Sequence, residues 1–258
     1  MSRSILVRQL VPATREELWS ACATGRGMSL WQADVAQGDA QLGKSITLSW
    51  PSLHLSVKLE VTELVPEERL VFSVGASRLT LEVEPGQIRL VHDGLRSEDE
   101  EDGMRSAWRT SLGLLAHGIT RHRGHDRQVR WITRSMRTTP AMSHLFFTES
   151  AALAQWLTRR GAVGLEGTEL NLELLGGAPL TGEVLANTPD RDVAFTWREQ
   201  NESCLVLRSF PSPTAPDERL IALSWSRWDA KPFPSETLSQ LEQSFELLAR
   251  TMSRRGDA

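Results

Sequence analysis

His92 is the residue whose type and position in this sequence most suggest chemistry. It shares the alternation of Ile88 and Leu90, so its side chain should point to the apolar side of a strand. A neutral imidazole there could bind a polar ligand group or act as a base, although a buried histidine more often has its hydrogen bonds satisfied by a nearby carbonyl. The adjacent Asp93 should face the opposite side unless a bulge intervenes near Gly94. His92 is thus a candidate proton shuttle, and no catalytic set is predicted.

Large aromatic side chains fall on the apolar faces of several predicted elements, by alternation in strands or by helical spacing. They could line a cavity for an apolar or aromatic ligand, or they could simply fill the core. Tyrosine is absent from the sequence, which removes the phenol from any catalytic scheme. The predicted ligand-binding residues are Trp50, Phe72, His92, Trp108, Trp197, Trp225 and Phe245.

Metal, nucleotide and nucleic-acid chemistry have little support in the sequence. His122, His125 and His144 have no carboxylate or cysteine at a spacing typical of metal sites. No P-loop, dinucleotide fingerprint or nucleophile elbow is present. The 29 basic and 33 acidic residues give a formal charge of −4, whereas nucleic-acid binding normally needs a basic excess. We therefore expect no metal, no cofactor and no nucleic-acid partner.

The cysteines and the apolar segments indicate where the protein resides. Cys22 and Cys204 are too few and too far apart for a disulfide framework. The first apolar stretch reaches Arg8 after three residues, which is too short for a secretory signal. No stretch approaches the roughly 20 apolar residues that cross a bilayer. These features predict a cytoplasmic protein without a transmembrane segment.

The elements that would position these residues follow a fixed order in the first half of the sequence. Thr14 and Glu17 have the spacing of a capping box that begins a helix. Between residues 46 and 90, apolar residues alternate with polar ones and are interrupted at turns, which predicts an antiparallel meander. From Trp108 to Ile119, apolar residues recur at spacings of four, three and four. This spacing predicts a long amphipathic helix at the end of the first half.

The same series of patterns recurs in the second half. Landmark residues of one half return in the other at nearly constant separation, and the separation drifts by no more than five residues. The pairs are Pro12 and Pro140, Trp31 and Trp156, Gly43 and Gly167, Pro66 and Pro189, and Phe72 and Phe195, separated by 128, 125, 124, 123 and 123 residues. The repeat predicts two tandem domains of ordinary size, at 1–123 and 128–258.

Each half combines strands that have one apolar face with a final helix that has one apolar stripe. These two surfaces must cover each other. We therefore expect an α+β fold of two helix-grip domains, each a curved antiparallel sheet wrapped around a long C-terminal helix. Where the sheet curls more strongly than the helix can fill, an apolar cavity remains between them.

Motifs in a fixed order along the first half carry a resemblance to a known family. They are Pro12-Ala-Thr-Arg-Glu-Glu-Leu-Trp19, Leu30-Trp31, Gly43, the strand from Leu55 to Val65, Pro66-Glu-Glu-Arg-Leu-Val-Phe72, His92-Asp-Gly-Leu95 and Trp108. Both halves resemble the START-like, Bet v 1-type (SRPBCC) superfamily, and the first is similar to the branch named after the activator of the heat-shock-protein-90 ATPase. The second half has Ser224-Trp-Ser-Arg-Trp228 in place of His92-Asp-Gly-Leu95. A polar interior site is therefore expected in the first copy alone.

The resemblance implies three classes of function. The leading class is a non-enzymatic binding protein that holds a hydrophobic small molecule or lipid between sheet and helix. The second is a protein-interaction module, co-chaperone-like or regulatory, in which the tandem presents a joint surface to a protein partner. The third is an enzyme similar to polyketide cyclases or aromatases, with His92 as a proton shuttle. The lack of tyrosine and of a clear acid/base pair counts against the third class.

Overall fold

The computed structural model describes residues 3–212, 215 and 217–256 of the chain. The chain divides after Gln128 into two compact units. Each unit has its own sheet and its own core, and the two are described separately below.

The first unit consists of seven strands and three helices, with one short 3-10 turn between the third and fourth strands. In chain order they are β1 (Arg3–Leu10), α1 (Arg15–Ala23), α2 (Gly25–Ser29), β2 (Val35–Gln37), β3 (Ser45–Trp50), the 3-10 turn Pro51–Leu53, β4 (Leu55–Val65), β5 (Arg69–Val74), β6 (Ser77–Glu84), β7 (Gln87–Leu95) and α3 (Glu98–Arg121).

The second unit repeats this order, with its 3-10 turn between the strands β12 and β13. Its elements are β8 (Gln128–Met136), α4 (Pro140–Thr148), α5 (Ser150–Leu153), β9 (Thr158–Arg160), β10 (Glu169–Leu174), β11 (Pro179–Asn187), β12 (Val193–Trp197), the 3-10 turn Arg198–Gln200, β13 (Ser203–Pro211), β14 (Arg219–Arg227) and α6 (Ser235–Gly256).

Both sheets have the same antiparallel topology. The strand order is β1-β7-β6-β5-β4-β3-β2 in the first and β8-β14-β13-β12-β11-β10-β9 in the second. The first strand of each unit thus pairs with the last, while the other strands follow as a meander. The predicted α+β fold of two tandem helix-grip domains is confirmed.

Local capping explains where the first helix of each unit begins. The Glu17 backbone N–H donates to Thr14 Oγ1 at 3.2 Å, and the Thr14 N–H donates to the Glu17 carboxylate at 2.9 Å. This is the reciprocal capping box that the sequence predicted. In the second unit, Thr139 Oγ1 accepts from the Met142 N–H at 3.1 Å, with Pro140 at the first helical position.

A buried tryptophan fixes the segment after this helix in both units. Trp31 Nε1 donates to the Ala21 carbonyl at 3.0 Å, and Trp156 Nε1 donates to the Phe146 carbonyl at 2.9 Å. Donor and acceptor are ten residues apart in each case. The repeat of landmark residues in the sequence therefore corresponds to a repeated contact in the structure.

The core of each unit lies between the sheet and its long final helix. In α3, Trp108 and Leu112 belong to the apolar stripe that is buried; in α6, Leu241 and Phe245 do so. Fully burying one such side chain stabilises the fold by about 1.5–3 kcal/mol. The long helix therefore fixes which side chains of the sheet lie in the interior.

Candidate functional site

His92 lies at the centre of a continuous hydrogen-bonded chain in the first unit. Trp108 Nε1 donates to His92 Nδ1 at 3.1 Å, and His92 Nε2 lies 3.0 Å from Ser77 Oγ. Ser77 Oγ in turn donates to the Val74 carbonyl at 2.9 Å. Because an indole N–H can only donate, Nδ1 must accept, and the neutral ring carries its proton on Nε2. The network therefore assigns both the tautomer and the orientation of the ring.

The surroundings of His92 keep its ring neutral. Burial lowers the pKa of His92, and the nearby Glu100 and Asp93 carboxylates oppose this effect only in part. The lone pair of Nδ1 is already used by Trp108, so no free base is available for a proton-transfer step. The geometry thus gives no support to a proton shuttle at His92. The partners are an indole and a hydroxyl rather than the carbonyl expected from the sequence.

A bulge occurs at Gly94, directly after this histidine and its acidic neighbour. The pairing of β1 with β7 shifts by one residue here, and Gly94 adopts φ +93°. A Cβ at this position would lie 2.9 Å from Ser77 Cα, so only glycine fits without displacement. The bulge follows Asp93 and does not separate it from His92, so the two side chains still face opposite sides of the sheet.

Trp225 of β14 occupies the place that His92 has in β7. In each sheet, three side chains are paired side by side on adjacent strands. They are Phe72, Leu79 and His92 in the first unit and Phe195, Leu205 and Trp225 in the second. Trp225 Nε1 donates to Ser203 Oγ at 2.9 Å, and Ser203 precedes its strand leucine by two residues, as Ser77 does. The serine is thus kept in both units, while the imidazole is replaced by an indole that does not titrate.

The aromatic residues of the second unit pack against one another. Trp225 stacks on Trp197 with ring centroids 5.5 Å apart, and the edge of Phe233 contacts Trp225 at 5.0 Å. Phe245 makes an edge contact with Trp156 at 5.9 Å. Such offset and edge arrangements are the favourable geometries of aromatic pairs. These rings fill the core of the unit.

The seven predicted ligand-binding residues fall into two separate groups, one in each unit. In the first group Phe72, His92 and Trp108 are buried, whereas Trp50 is partly exposed at the end of β3. In the second group, Trp197, Trp225 and Phe245 are buried. Their role in ligand binding stays a prediction, because each buried ring is surrounded by other protein side chains.

A groove of about 370 Å³ lies beside α6 in the second unit. One wall is α6, and the other consists of the end of β10, the turn that follows it and the residue after Trp156. The lining residues are Leu157, Leu174, Leu175, Gly176, Thr237, Gln240, Leu241, Gln243, Ser244 and Leu247. None of them belongs to the predicted set. The alternation in β10 and the stripe on α6 mark Leu174 and Leu241 as apolar positions, but neither pattern shows that a space remains between them.

The two repeats carry different residues at one lining position of this groove. Leu174 ends β10 as Trp50 ends β3, at the same separation of 124 residues as Gly43 and Gly167. A leucine side chain is much smaller than a tryptophan side chain, so a tryptophan at position 174 would take up part of the groove. The groove lies in the second copy, and the polar interior site expected in the first copy stays a prediction.

The first unit has a shallower depression of about 380 Å³ at the β5–β6 hairpin, lined in part by Phe72 and Ser77. Glu63 on its rim forms ion pairs with Arg69 and Arg78 at 3.4 and 3.5 Å. The charged groups on this surface therefore already have partners.

Three other histidines make ordinary contacts, and both thiols are buried. His144 Nε2 lies 2.8 Å from Asn187 Oδ1, and the rings of His117 and His122 are in edge contact at 5.3 Å. Burial raises the pKa of the Cys22 thiol to about 12, which makes it a poor nucleophile at neutral pH. Among the described residues, no group of three or more His, Cys, Asp or Glu side chains could hold a metal ion.

The fold and the motifs of the first unit agree with one protein family. Residues 12–119 match the family described as activator of Hsp90 ATPase homolog 1-like protein. The match begins just before α1 and runs almost to the end of α3, so it spans nearly all of the first unit. The first unit is therefore similar to this family over residues 12–119. This unit is followed by a second unit with the same strand order, which fits a tandem duplication.

Several solved structures are similar to the chain at low identity. The solution structure of the Aha1 dimer from Colwellia psychrerythraea is 17% identical, covers 45% of this chain and 96% of that one, and gives a TM-score of 0.42. Protein SSP2350 from Staphylococcus saprophyticus is 15% identical, with 45% and 91% covered and a TM-score of 0.41. DynU16, from the dynemicin biosynthetic locus, is 16% identical, with 97% and 96% covered and a TM-score of 0.41. No protein with a curated description matches the chain.

Within the part of the chain that the structure describes, no helix is both long enough and apolar enough to cross a membrane.

Proposed function

We propose that the chain is a non-catalytic binding module, and that its second unit holds a small hydrophobic molecule in the groove between α6 and the end of β10. The observation that carries this proposal is the groove itself. Its volume of about 370 Å³ falls in the range of roughly 300–1,000 Å³ that is usual for ligand pockets. Half of its lining consists of leucines, namely Leu157, Leu174, Leu175, Leu241 and Leu247.

The exposure of these leucines supports a bound molecule. Leu174 and Leu241 are buried, whereas Leu247 is 40% exposed on α6. A ligand that lies along the groove would cover apolar surface of this kind, and each Å² removed from water contributes about 25 cal/mol. The position between sheet and helix is also the one that the sequence analysis expected for a cavity.

The state of His92 supports a binding role over a catalytic one. Both ring nitrogens have hydrogen-bond partners within the protein, and burial lowers the pKa of this ring. In the second unit the equivalent place holds Trp225, which has no acid or base function. A role in binding therefore needs fewer assumptions than a role in proton transfer.

The experiment fills the groove with the side chain that the first unit uses. Leu174→Trp should weaken the binding of the neutral fluorescent probe N-phenyl-1-naphthylamine at least tenfold, measured by titration of its emission. Leu165→Trp is the matched control, because Leu165 is 76% exposed and does not line the groove. It should leave the probe affinity within about twofold of wild type.

Two outcomes would contradict the proposed function. Thermal unfolding of both variants shows whether each is folded before its affinity is compared. Equal probe affinity in folded Leu174→Trp and wild type would show that the groove is not the binding site. A wild-type protein that binds neither the probe nor any member of a lipid and aromatic panel, by native mass spectrometry and thermal shift, would remove the proposal.

A further inference from the structure

We infer that this groove selects uncharged amphiphilic molecules, such as alcohols, amides and esters, over carboxylates that have the same carbon chain. The inference rests on the proposed function, since it names the class of ligand for that groove. It follows from three features of the second unit: the chemistry of the lining, the state of the neighbouring arginines and the position of Gln240.

The polar part of the lining is uncharged throughout. Beside the leucines and Gly176, the described lining residues are Thr237, Gln240, Gln243 and Ser244. Amides and hydroxyls supply both donors and acceptors, and they can pair with a neutral polar group in either sense. None of them can neutralise a carboxylate. A buried anion without a cationic partner pays a large desolvation penalty.

Two arginines beside the groove, Arg159 and Arg160, have partners within the protein. Arg159 Nε donates to the carbonyl of Leu175, a lining residue, at 2.8 Å, and Arg159 Nη1 lies 3.8 Å from Glu173. Arg160 donates to the Glu173 carboxylate through Nε and Nη2, at 3.0 and 2.6 Å. Glu173 therefore offsets one of these two positive charges. A ligand carboxylate that approached either guanidinium group would also lie near the Glu173 carboxylate, which would repel it.

Gln240 lies where the polar end of a ligand would emerge. It is an exposed residue of α6, and a Cβ built on Gly176 of the opposite wall would lie 3.7 Å from its Nε2 atom. The amide therefore sits across the mouth of the groove from the β10–β11 turn. With its buried leucines, the groove presents an apolar interior and an uncharged polar mouth.

The first test compares ligands that differ only in their head group. Decan-1-ol, decanamide and decanoate compete with N-phenyl-1-naphthylamine for the full-length protein at pH 8, where the acid is ionised. We expect the alcohol and the amide to displace the probe at concentrations at least tenfold lower than decanoate. Decanoate that competes as well as decan-1-ol would overturn the inference.

The second test adds one positive charge at the groove to raise its affinity for the carboxylate. Gln240→Lys places an ammonium group at the mouth and should improve the affinity for decanoate at least fivefold, with the affinity for decan-1-ol changed less than twofold. Ser253→Lys is the control, because it adds the same charge to an exposed position near the other end of α6. A selective loss of decanoate binding in Arg159→Gln would instead show that Arg159 binds carboxylates and would contradict the inference.

Failure of this inference can be told apart from failure of the proposed function. If Leu174→Trp does not weaken probe binding, the groove is not the site and both fall. If Leu174→Trp does weaken it but the three head groups compete equally, the groove is the site and only the selectivity is wrong.

Discussion

The imidazole of His92 acts as a structural connection between the sheet and the final helix of the first unit. It accepts from Trp108 on α3 and bonds to Ser77 on β6. Protonation of Nδ1 would place an N–H opposite the indole N–H, and two donors cannot bond to each other. The hydrogen bond between β7 and α3 therefore depends on the neutral ring.

This connection predicts a specific pH dependence of stability. The pKa of His92 is lowered by burial in the folded state, whereas in the unfolded chain it is about 6.5. Between the two values the unfolded state binds more protons. The free energy of unfolding should therefore fall as the pH drops from about 6.5 to the lowered pKa, and this contribution should then level off.

The measurement is urea unfolding between pH 5 and 8 of the wild type and of His92→Gln, which has no titrating group at this place. The difference in unfolding free energy between the two proteins should change with pH in the stated window and be constant above it. Parallel curves for the two proteins across the whole range would contradict the prediction.

At the scale of elements, the bulge at Gly94 brings the end of β7 close to the β5–β6 hairpin. The close approach needs a residue without a Cβ, because that atom would meet Ser77 Cα at 2.9 Å. The positive φ of +93° adds a second requirement for glycine. Ser77 is thus held beside the histidine that it bonds.

Gly94→Ala should therefore destabilise the protein by about 1–3 kcal/mol, the usual cost of a residue held in a strained backbone region. Gly86→Ala is a matched control in the turn between β6 and β7: its φ is +77°, but the nearest atom to its Cβ would be 3.8 Å away. Chemical denaturation should show a larger loss for Gly94→Ala. Equal losses would mean that the contact with Ser77 is relieved at no cost.

On the scale of the whole molecule, the duplication has kept the framework and changed the interior. Ser77 and Ser203 each form a hydrogen bond with a ring nitrogen of the neighbouring strand, but the ring is His92 in the first unit and Trp225 in the second. At the end of the third strand of each unit, a tryptophan in one copy is replaced by a leucine in the other. Two equivalent sheets therefore differ in the feature on which binding would depend.

If the second unit carries the groove by itself, a fragment of residues 128–258 should fold and retain the probe affinity of the intact chain. The fragment 1–123 should fold without binding the probe. These bounds are the domains that the sequence predicts, and each unit has its own sheet and core. Circular dichroism and probe titration check both fragments. An unfolded fragment would show that the units depend on each other for stability.

Patterns in the sequence predicted most of the long strands and helices and their repetition, whereas the short elements α2, β2 and β9 were not predicted. The period of apolar residues states which side of a strand or helix a side chain faces, and it placed His92 in the interior correctly. The capping box at Thr14 is also predictable from the sequence, because both of its hydrogen bonds join residues that are three apart. The duplication followed from spacing alone.

Only the tertiary structure decided what these side chains meet. The partners of His92 come from two other elements, at sequence separations of 15 and 16 residues, and no local pattern specifies that pairing. Whether an interior is filled or open depends on the summed volumes of side chains from several elements. The predicted aromatic residues other than Trp50 are buried, and the groove lies instead where Leu174 faces α6. Periodicity gives a direction for each side chain but does not measure the space in front of it.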